Sequence, residues 1–312
     1  MTTLLTFRDG IKEFYSRYDF ILTPVFKFIL SIIIFNSLNS RFGYWNILDN
    51  KMLIFLLSVV CAFLPIQVLA GISGVLIALQ SFKVSLDVGL LAVAVIIIFY
   101  CSYMRFVPKT GIIALIVPIC HTLHLTYALP ILLGFLVGPA AIIPTAFGFI
   151  LYYYEDCLSE LVKVFASATE GDEDVQGFNY VINALIDNKE MLLVIAVSAL
   201  VIVITFLLYR LPVEHSWIIS FIAGGFLNVV LFLAVNVMVL VDVDIISVIS
   251  GSIIGIVLAF FIRFCKGIVD YQRTEILQFE DDEYYYYVKA IPKLSVSGTN
   301  KNVKHINSKT AN

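Results

Sequence analysis

Charge is what this chain has least of: in 312 residues, Asp, Glu, Lys and Arg make up only 14%, against roughly 25% in soluble domains. Water is therefore not its main solvent. The formal net charge of −3 leaves no basic stripe for phosphate backbones, which argues against nucleic acid as a partner. None of the five cysteines belongs to a CxxC, and all but one of them (Cys61, Cys101, Cys120, Cys157 and Cys265) fall in or beside apolar segments. They read as reduced packing residues rather than a redox or zinc framework. HExxH, GxSxG and GxxxxGK[ST] are all missing, so a metalloprotease, a serine hydrolase and an attached ATPase are unsupported. Neither an enzyme nor a cofactor nor a resident metal is expected. No EAA-type coupling motif of ABC importers is found, which weakens a permease reading without excluding it. The first twenty residues have no long apolar core followed by a small-residue cleavage site, so no cleavable signal peptide is expected.

What the chain does have is apolar length. Hydrophobic residues make up 60%, in continuous rather than alternating runs, which excludes a barrel and predicts helices that satisfy their own backbone in lipid. The expected fold class is an all-α polytopic membrane protein of about eight or nine segments, with internal repeats. The spans are drawn at 21–37, 52–64, 66–82, 87–104, 111–124, 127–155, 190–209, 216–240 and 245–265. Proline interrupts several of them. Pro65 divides 51–82 into two short helices or a re-entrant hairpin, and Pro118, Pro130, Pro139 and Pro144 break 111–154.

Three domains follow: an amphipathic interfacial N-terminus at 1–20, a transmembrane domain at 21–268 and a polar segment at 269–312. An acidic extramembrane insertion at 156–189 interrupts the second, with TEGDED as its turn. Lys and Arg in short loops set orientation. Arg263, Lys266 and Arg273 place the C-terminus in the cytosol, with Arg210 inside and both the insertion and Asp242/Asp244 outside. The same rule puts Arg41 and Arg105 inside, although counting through the broken segments does not place both there.

IIIFNSLNSRF at 32–42 returns as IIIFYCSYMRF at 96–106. At the same shift Ala70 and Gly74 match Gly134 and Gly138, both small-xxx-small pairs that let helices approach closely in lipid. Gly251 and Gly255 form a third pair, and a looser third copy begins at Leu192. Duplication predicts that 21–84 and 85–157 are related helical units. Positive-inside sorting of look-alike helices is the plainer alternative.

Candidate polar residues are few. Cys120, His121 and His124 form the one cluster able to hold a metal, with the histidines spaced i, i+3 for one helix face. A fourth ligand is lacking, and interfacial or capping histidines are favoured, so no metal is assigned. Lys27, inside the first span, joins His121, His124 and Asn228 as a candidate polar pathway. Snorkelling and helix–helix bonding by Asn are their structural alternatives.

The tail carries Glu280, Asp281, Asp282 and Glu283 directly before Tyr284, Tyr285, Tyr286 and Tyr287. Tyr and Val favour strands, so 284–291 is expected to be extended and able to add to a partner's sheet or to a second copy. The alternative is a solvated linker. With FEDDEYYYYVKAIPK after its last helix, the chain resembles bacterial multi-span membrane proteins that share such an acidic, tyrosine-rich tail and are often given only a generic permease label. That resemblance implies a multi-pass protein of a bacterial cell membrane and transfers no functional residue. The expected partners are the lipid bilayer and a cytosolic protein or a second copy. Two functions remain, a transport or permease-type component and a membrane scaffold that recruits its partner through the tail.

Overall fold

The computed structural model describes residues 2–43, 45, 50–167, 177–239, 244–266, 275–280 and 285–290. The chain divides into two compact units, one of residues 20–262 and one of residues 1–19 with 263–312. The second contains the start of α1 (Thr2–Phe42), which leaves helical geometry at Tyr18 (φ −111°, ψ 18°), and an antiparallel hairpin. In that hairpin β1 (Glu275–Glu280) pairs with β2 (Tyr285–Ala290), Glu275 opposite Ala290 and Glu280 opposite Tyr285. Phe7, Ile11 and Phe14 on α1 are exposed.

Among its described residues the larger unit has helices joined by turns and no strand. It runs through the rest of α1, α2 (Lys51–Phe63), α3 (Ile66–Val84) and α4 (Leu86–Phe99), which a π-turn (Tyr100–Met104) extends. Next come α5 (Ile113–Thr122), a 3₁₀ turn (Thr126–Ala128) leading into α6 (Leu129–Leu136), a second 3₁₀ turn (Pro139–Ala141), α7 (Ile142–Ser167) and α8 (Gly177–Ile186). Three long helices finish it: α9 (Lys189–Tyr209), α10 (Ser216–Val239) and α11 (Ile245–Lys266).

Local chemistry sets these boundaries. Asn50 and Asn188 cap α2 and α9 by accepting from Met52 N and Met191 N, each at 2.9 Å. Asp244 caps α11 by accepting from Ile246 N at 3.1 Å and from the Ser247 hydroxyl at 2.6 Å; these donors hold its exposed carboxyl below the usual range. Pro65 separates α2 from α3. Gly138, at φ +79°, ends α6 in a conformation that residues with a Cβ rarely adopt.

Six helices are long and apolar enough to cross a membrane: Glu13–Arg41, Ile66–Val84, Leu86–Met104, Lys189–Tyr209, Ser216–Val237 and Ile245–Lys266. The chain thus has the helices of an integral membrane protein. The other expected spans are short: 52–64 is α2, 111–124 is α5, and 127–155 is split at Gly138 into α6, a turn and the apolar first half of α7. The second half of α7, from Glu155 on, is charged. TEGDED lies outside the described residues.

Side-chain contacts fix the direction of each helix. Gln80 near the end of α3 donates to Asn39 near the end of α1 at 3.1 Å, both buried. Lys27 Nζ donates to the Leu64 carbonyl at 3.2 Å. The α2–α3 tip therefore lies level with Lys27, about 21 Å along α1 from Arg41 at 1.5 Å per residue, and α3 returns to the end where α2 began. Tyr154 joins that same end by donating to Ser81 Oγ at 2.9 Å and the Val88 carbonyl at 3.3 Å. From there α4 and its π-turn together run about 28 Å to the opposite end, where the Tyr103 hydroxyl donates to the Ala140 carbonyl at 2.6 Å.

This corrects one expectation. Arg41 bonds Glu155, directly before the segment 156–189, and so lies at the end opposite Arg105.

Two apolar cores fill the unit. One gathers α1 to α4 with parts of α5, α7 and α8 around Phe35, Val88, Leu158 and Leu161. The other gathers α9 to α11 around α6, with Ile131, Phe149, Ile202, Phe221 and Phe232 fully or almost fully buried. Aromatic rings close the second core near the end of α9, with Phe135 edge-on to Tyr209 and Phe221 at centroid distances of 5.1 and 5.0 Å.

Candidate functional site

Two features stand out, and each grows from residues with no ordinary place in lipid. The first is the broken stretch from Thr126 to Ala141. Four of the six seam positions converge on it. A Cβ on Gly134 would sit 2.8 Å from Thr205 Cβ and 2.9 Å from the Ile202 carbonyl, and one on Gly138 would sit 2.6 Å from the Phe206 ring. From α11, a Cβ on Gly255 would lie 2.9 Å from Ala128 Cα, and one on Gly251 3.0 Å from Tyr127 Cβ. α6 and its leading turn are thus clasped by α9 and α11 at backbone distance, the close approach that small residues permit. The other two positions do something else. Gly74 faces only the Ile96 side chain, at 3.3 Å, and half-buried Ala70 packs in the first core.

A break in a helix opens carbonyls that lipid cannot satisfy. Asn228 on α10 answers one of them: it is fully buried, and its Nδ2 donates to the Tyr127 carbonyl and to Ser252 Oγ, each at 2.8 Å. Its Oδ1 has no partner among the described residues, nor does the hydroxyl of buried Thr205.

The second feature is a cluster at the far end of α1. Arg41 donates from Nη1 to Glu155 Oε2 at 3.1 Å and from Nη2 to Thr122 Oγ1 at 2.6 Å, with Asp156 Oδ1 at 3.8 Å. Its guanidinium lies 4.3 Å over the Tyr152 ring, a cation–π contact. His121 stacks on the Tyr152 ring at 3.8 Å. Tyr152, Glu155 and Asp156 share one face of α7 through i, i+3 and i, i+4 spacing. Thr122 in turn donates to the Pro118 carbonyl at 2.8 Å, so Arg41 ties the last turn of α5 to α1 and α7.

Burial is uneven across the pair. The Glu155 side chain is 2% exposed, that of Arg41 17% and that of Asp156 51%. Glu155 lies outside the six spans, and its burial pushes the carboxyl up to about 8, with the Arg41 guanidinium pulling against that rise. Glu155 Oε1 has no hydrogen-bond partner among the described residues.

The four residues of the expected pathway are not brought together. Lys27 caps the α2 terminus at Leu64, where the helix dipole favours a cation. His121 is half-buried in the Arg41 cluster, whereas His124 is exposed beyond the end of α5, at φ +56°. The shared histidine face is therefore lost, because α5 stops at Thr122 before the i+3 position is reached. Among the described residues no group of three His, Cys, Asp or Glu side chains could hold a metal. Asn228, on α10, bonds the broken stretch at the Tyr127 carbonyl. In the tail, Glu280 ends β1 and Tyr285, Tyr286 and Tyr287 begin β2, with Tyr285 and Tyr286 exposed; Asp281, Asp282, Glu283 and Tyr284 lie outside the described residues.

Arg41 and Glu155 are the pair that sequence reasoning missed. The available signal was a carboxylate directly after an apolar run ending in three tyrosines. No protein-family model matches this chain, and no curated protein or solved structure does either.

Proposed function

We propose that this chain is a transport or permease-type component of a bacterial cell membrane, acting as a carrier rather than an enzyme. The observation that supports it most is the clasped break at Thr126–Ala141. Discontinuous helices held within protein, with a buried side chain on an opened carbonyl, are the usual setting of carrier binding sites. A helix needed only for anchoring has no reason to be broken there.

The topology we infer has eight crossings and one re-entrant hairpin. α1, α4, α5, α6 with its turns, the apolar half of α7, α9, α10 and α11 cross, while α2–α3 enters and leaves by one face. With Arg263, Lys266 and Arg273 in the cytosol, Arg105 and Arg210 lie there too, and Arg41 and the insertion lie outside. The hairpin supplies the parity that simple counting lacks. It also makes the two IIIF-x5-RF copies run in opposite directions, the arrangement of an inverted repeat. The aligned Gly74 and Gly138 differ, since one is within a helix and the other ends one, so the second copy has diverged most at its break.

Reconstitution tests the proposal. Purified protein in liposomes should give substrate-dependent flux that Gly134→Leu abolishes while the protein still inserts; inert liposomes across a broad substrate panel would count against transport.

The hairpin favours a second reading. Among the described residues its sheet has two strands, and each has an outer edge able to accept a third strand. A scaffold role predicts that deleting 275–294 abolishes co-purification of a cytosolic partner, and a deletion that still complements a knockout would remove that reading.

A further inference from the structure

We propose that Glu155 is a proton-binding site, which gives up its hold on Arg41 when it takes a proton and passes the guanidinium to Asp156. The inference rests on the transport reading and deepens it by naming the coupling ion as the proton. Only one bond forms: a proton from the outer aqueous face adds to a Glu155 carboxylate oxygen, and the Arg41 charge stays balanced because Asp156 replaces Glu155 as its partner.

Three observations on geometry carry it. First, Glu155 is almost wholly buried, yet Oε1 has no hydrogen-bond partner among the described residues. A half-satisfied carboxylate in apolar surroundings is costly as an anion and far less so once neutral. Second, Arg41 already stands between two carboxylates, at 3.1 Å from Glu155 and 3.8 Å from Asp156. A small movement of a side chain with one edge exposed therefore exchanges the buried partner for the half-exposed one, without leaving a buried charge unpaired. Third, Arg41 also holds Thr122 at the end of α5. Exchange of its carboxylate partner is thus felt at the helix that leads into the clasped break.

The charged groups around Glu155 do not supply a competing proton store of the same kind. Arg41 from α1 and Asp156 on α7 act on it directly. Behind them stand His121 on α5, which feels Arg41 and His124, and Glu160 on α7, which acts on Asp156. On the opposite side of α7, Tyr153 faces the charge of Glu190 on α9. Among these carboxylates only Glu155 combines near-complete burial with an unpartnered oxygen.

The test follows the carboxylic C=O stretch by infrared spectroscopy on the full chain in liposomes between about pH 4 and pH 9. The expected result is one carboxylic band that persists well above the titration of exposed carboxylates and disappears around pH 8. Glu155→Gln should remove that band and Asp156→Asn should keep it. Arg41→Lys, which retains the charge but loses the guanidinium fork, should move its midpoint upward and serves if Glu155→Gln fails to fold. All carboxylates titrating together near pH 4 to 5, or a late band that survives Glu155→Gln, would overturn the proton site. The transport reading is judged separately: a Glu155 band in liposomes that show no flux under an imposed pH gradient upholds the site and overturns the coupling role. Flux with no such band leaves transport standing and removes the proton site.

Discussion

The two cores accommodate short helices in different ways. In the first, α2 and α5 end against cationic side chains: Lys27 reaches the Leu64 carbonyl and Arg41 holds Thr122. Long flexible side chains do the capping, and Gly74 meets only the Ile96 side chain. In the second core, α6 is secured by backbone contact at glycines, and a single short amide, Asn228, satisfies the opened carbonyl. The first arrangement can change partners by rotating a side chain. The second can change only if whole helices move. On the proposed transport reading the two would divide the work, with a local group that senses an ion and a packed element that converts the change into motion.

That contrast is open to mutation, and the largest effect is expected at the ion pair. Arg41→Leu removes the cation beside buried Glu155, which then keeps its proton to higher pH, and where Glu155 is ionised the loss of its partner costs about 3–5 kcal/mol. Thermal unfolding in detergent should show the loss, and adding Glu155→Leu should restore most of it. A double variant no better than the single one would mean that Arg41 stabilises the fold through Thr122 and Tyr152 instead. Next comes Asn228→Leu, which strands the Tyr127 carbonyl at about 1–3 kcal/mol.

Gly134→Ala is expected to be comparably damaging, about 1–3 kcal/mol, because its neighbour at 2.9 Å is a backbone carbonyl and cannot swing away. Lys27→Met removes a cation from a helix C-terminus, worth about 0.3–1 kcal/mol. Gly74→Ala should be smallest, within about 0.5 kcal/mol, since Ile96 can give by a few tenths of an ångström. Equal effects of Gly74→Ala and Gly134→Ala on the unfolding midpoint would erase the distinction between the cores.

The sequence made some of this visible and concealed the rest for definite reasons. Apolar length and proline position located several helices, including the division at Pro65 and the break near Gly138, but the breaks expected at Pro118 and Pro144 are not found: Pro118 lies inside α5 and Pro144 in the first turn of α7. The small-xxx-small spacing singled out Gly134, Gly138, Gly251 and Gly255, where a Cβ would meet a neighbour at 3.0 Å or less. It could not say that all four meet the same stretch, since contact partners on α9 and the Tyr127–Ala128 turn are set by tertiary packing. The His121/His124 spacing gives a shared face only while the helix continues, and α5 ends between them. The positive-inside rule put Arg41 and Arg105 on one side, whereas the structure sets them at opposite ends of the helical unit, with Arg41 paired to Glu155, 114 positions away. The segment 284–291 was expected to be extended, and Tyr285–Ala290 is a strand; its partner Glu275–Glu280 carried no comparable signal, because EILQFE reads equally well as the end of a helix.

The most direct test concerns the hairpin, on which the position of Arg41 relative to the membrane depends. Single cysteines at Asn50, Asp87, Lys109 and Glu214, in a background without the native cysteines, would be labelled with a membrane-impermeant maleimide in sealed vesicles of known orientation. The expected result is that positions 50 and 87 react from the outer face, and positions 109 and 214 only after the inner face is exposed. Labelling of 50 and 87 from opposite faces would show that α2–α3 crosses the membrane instead of returning, and would contradict the re-entrant hairpin outright.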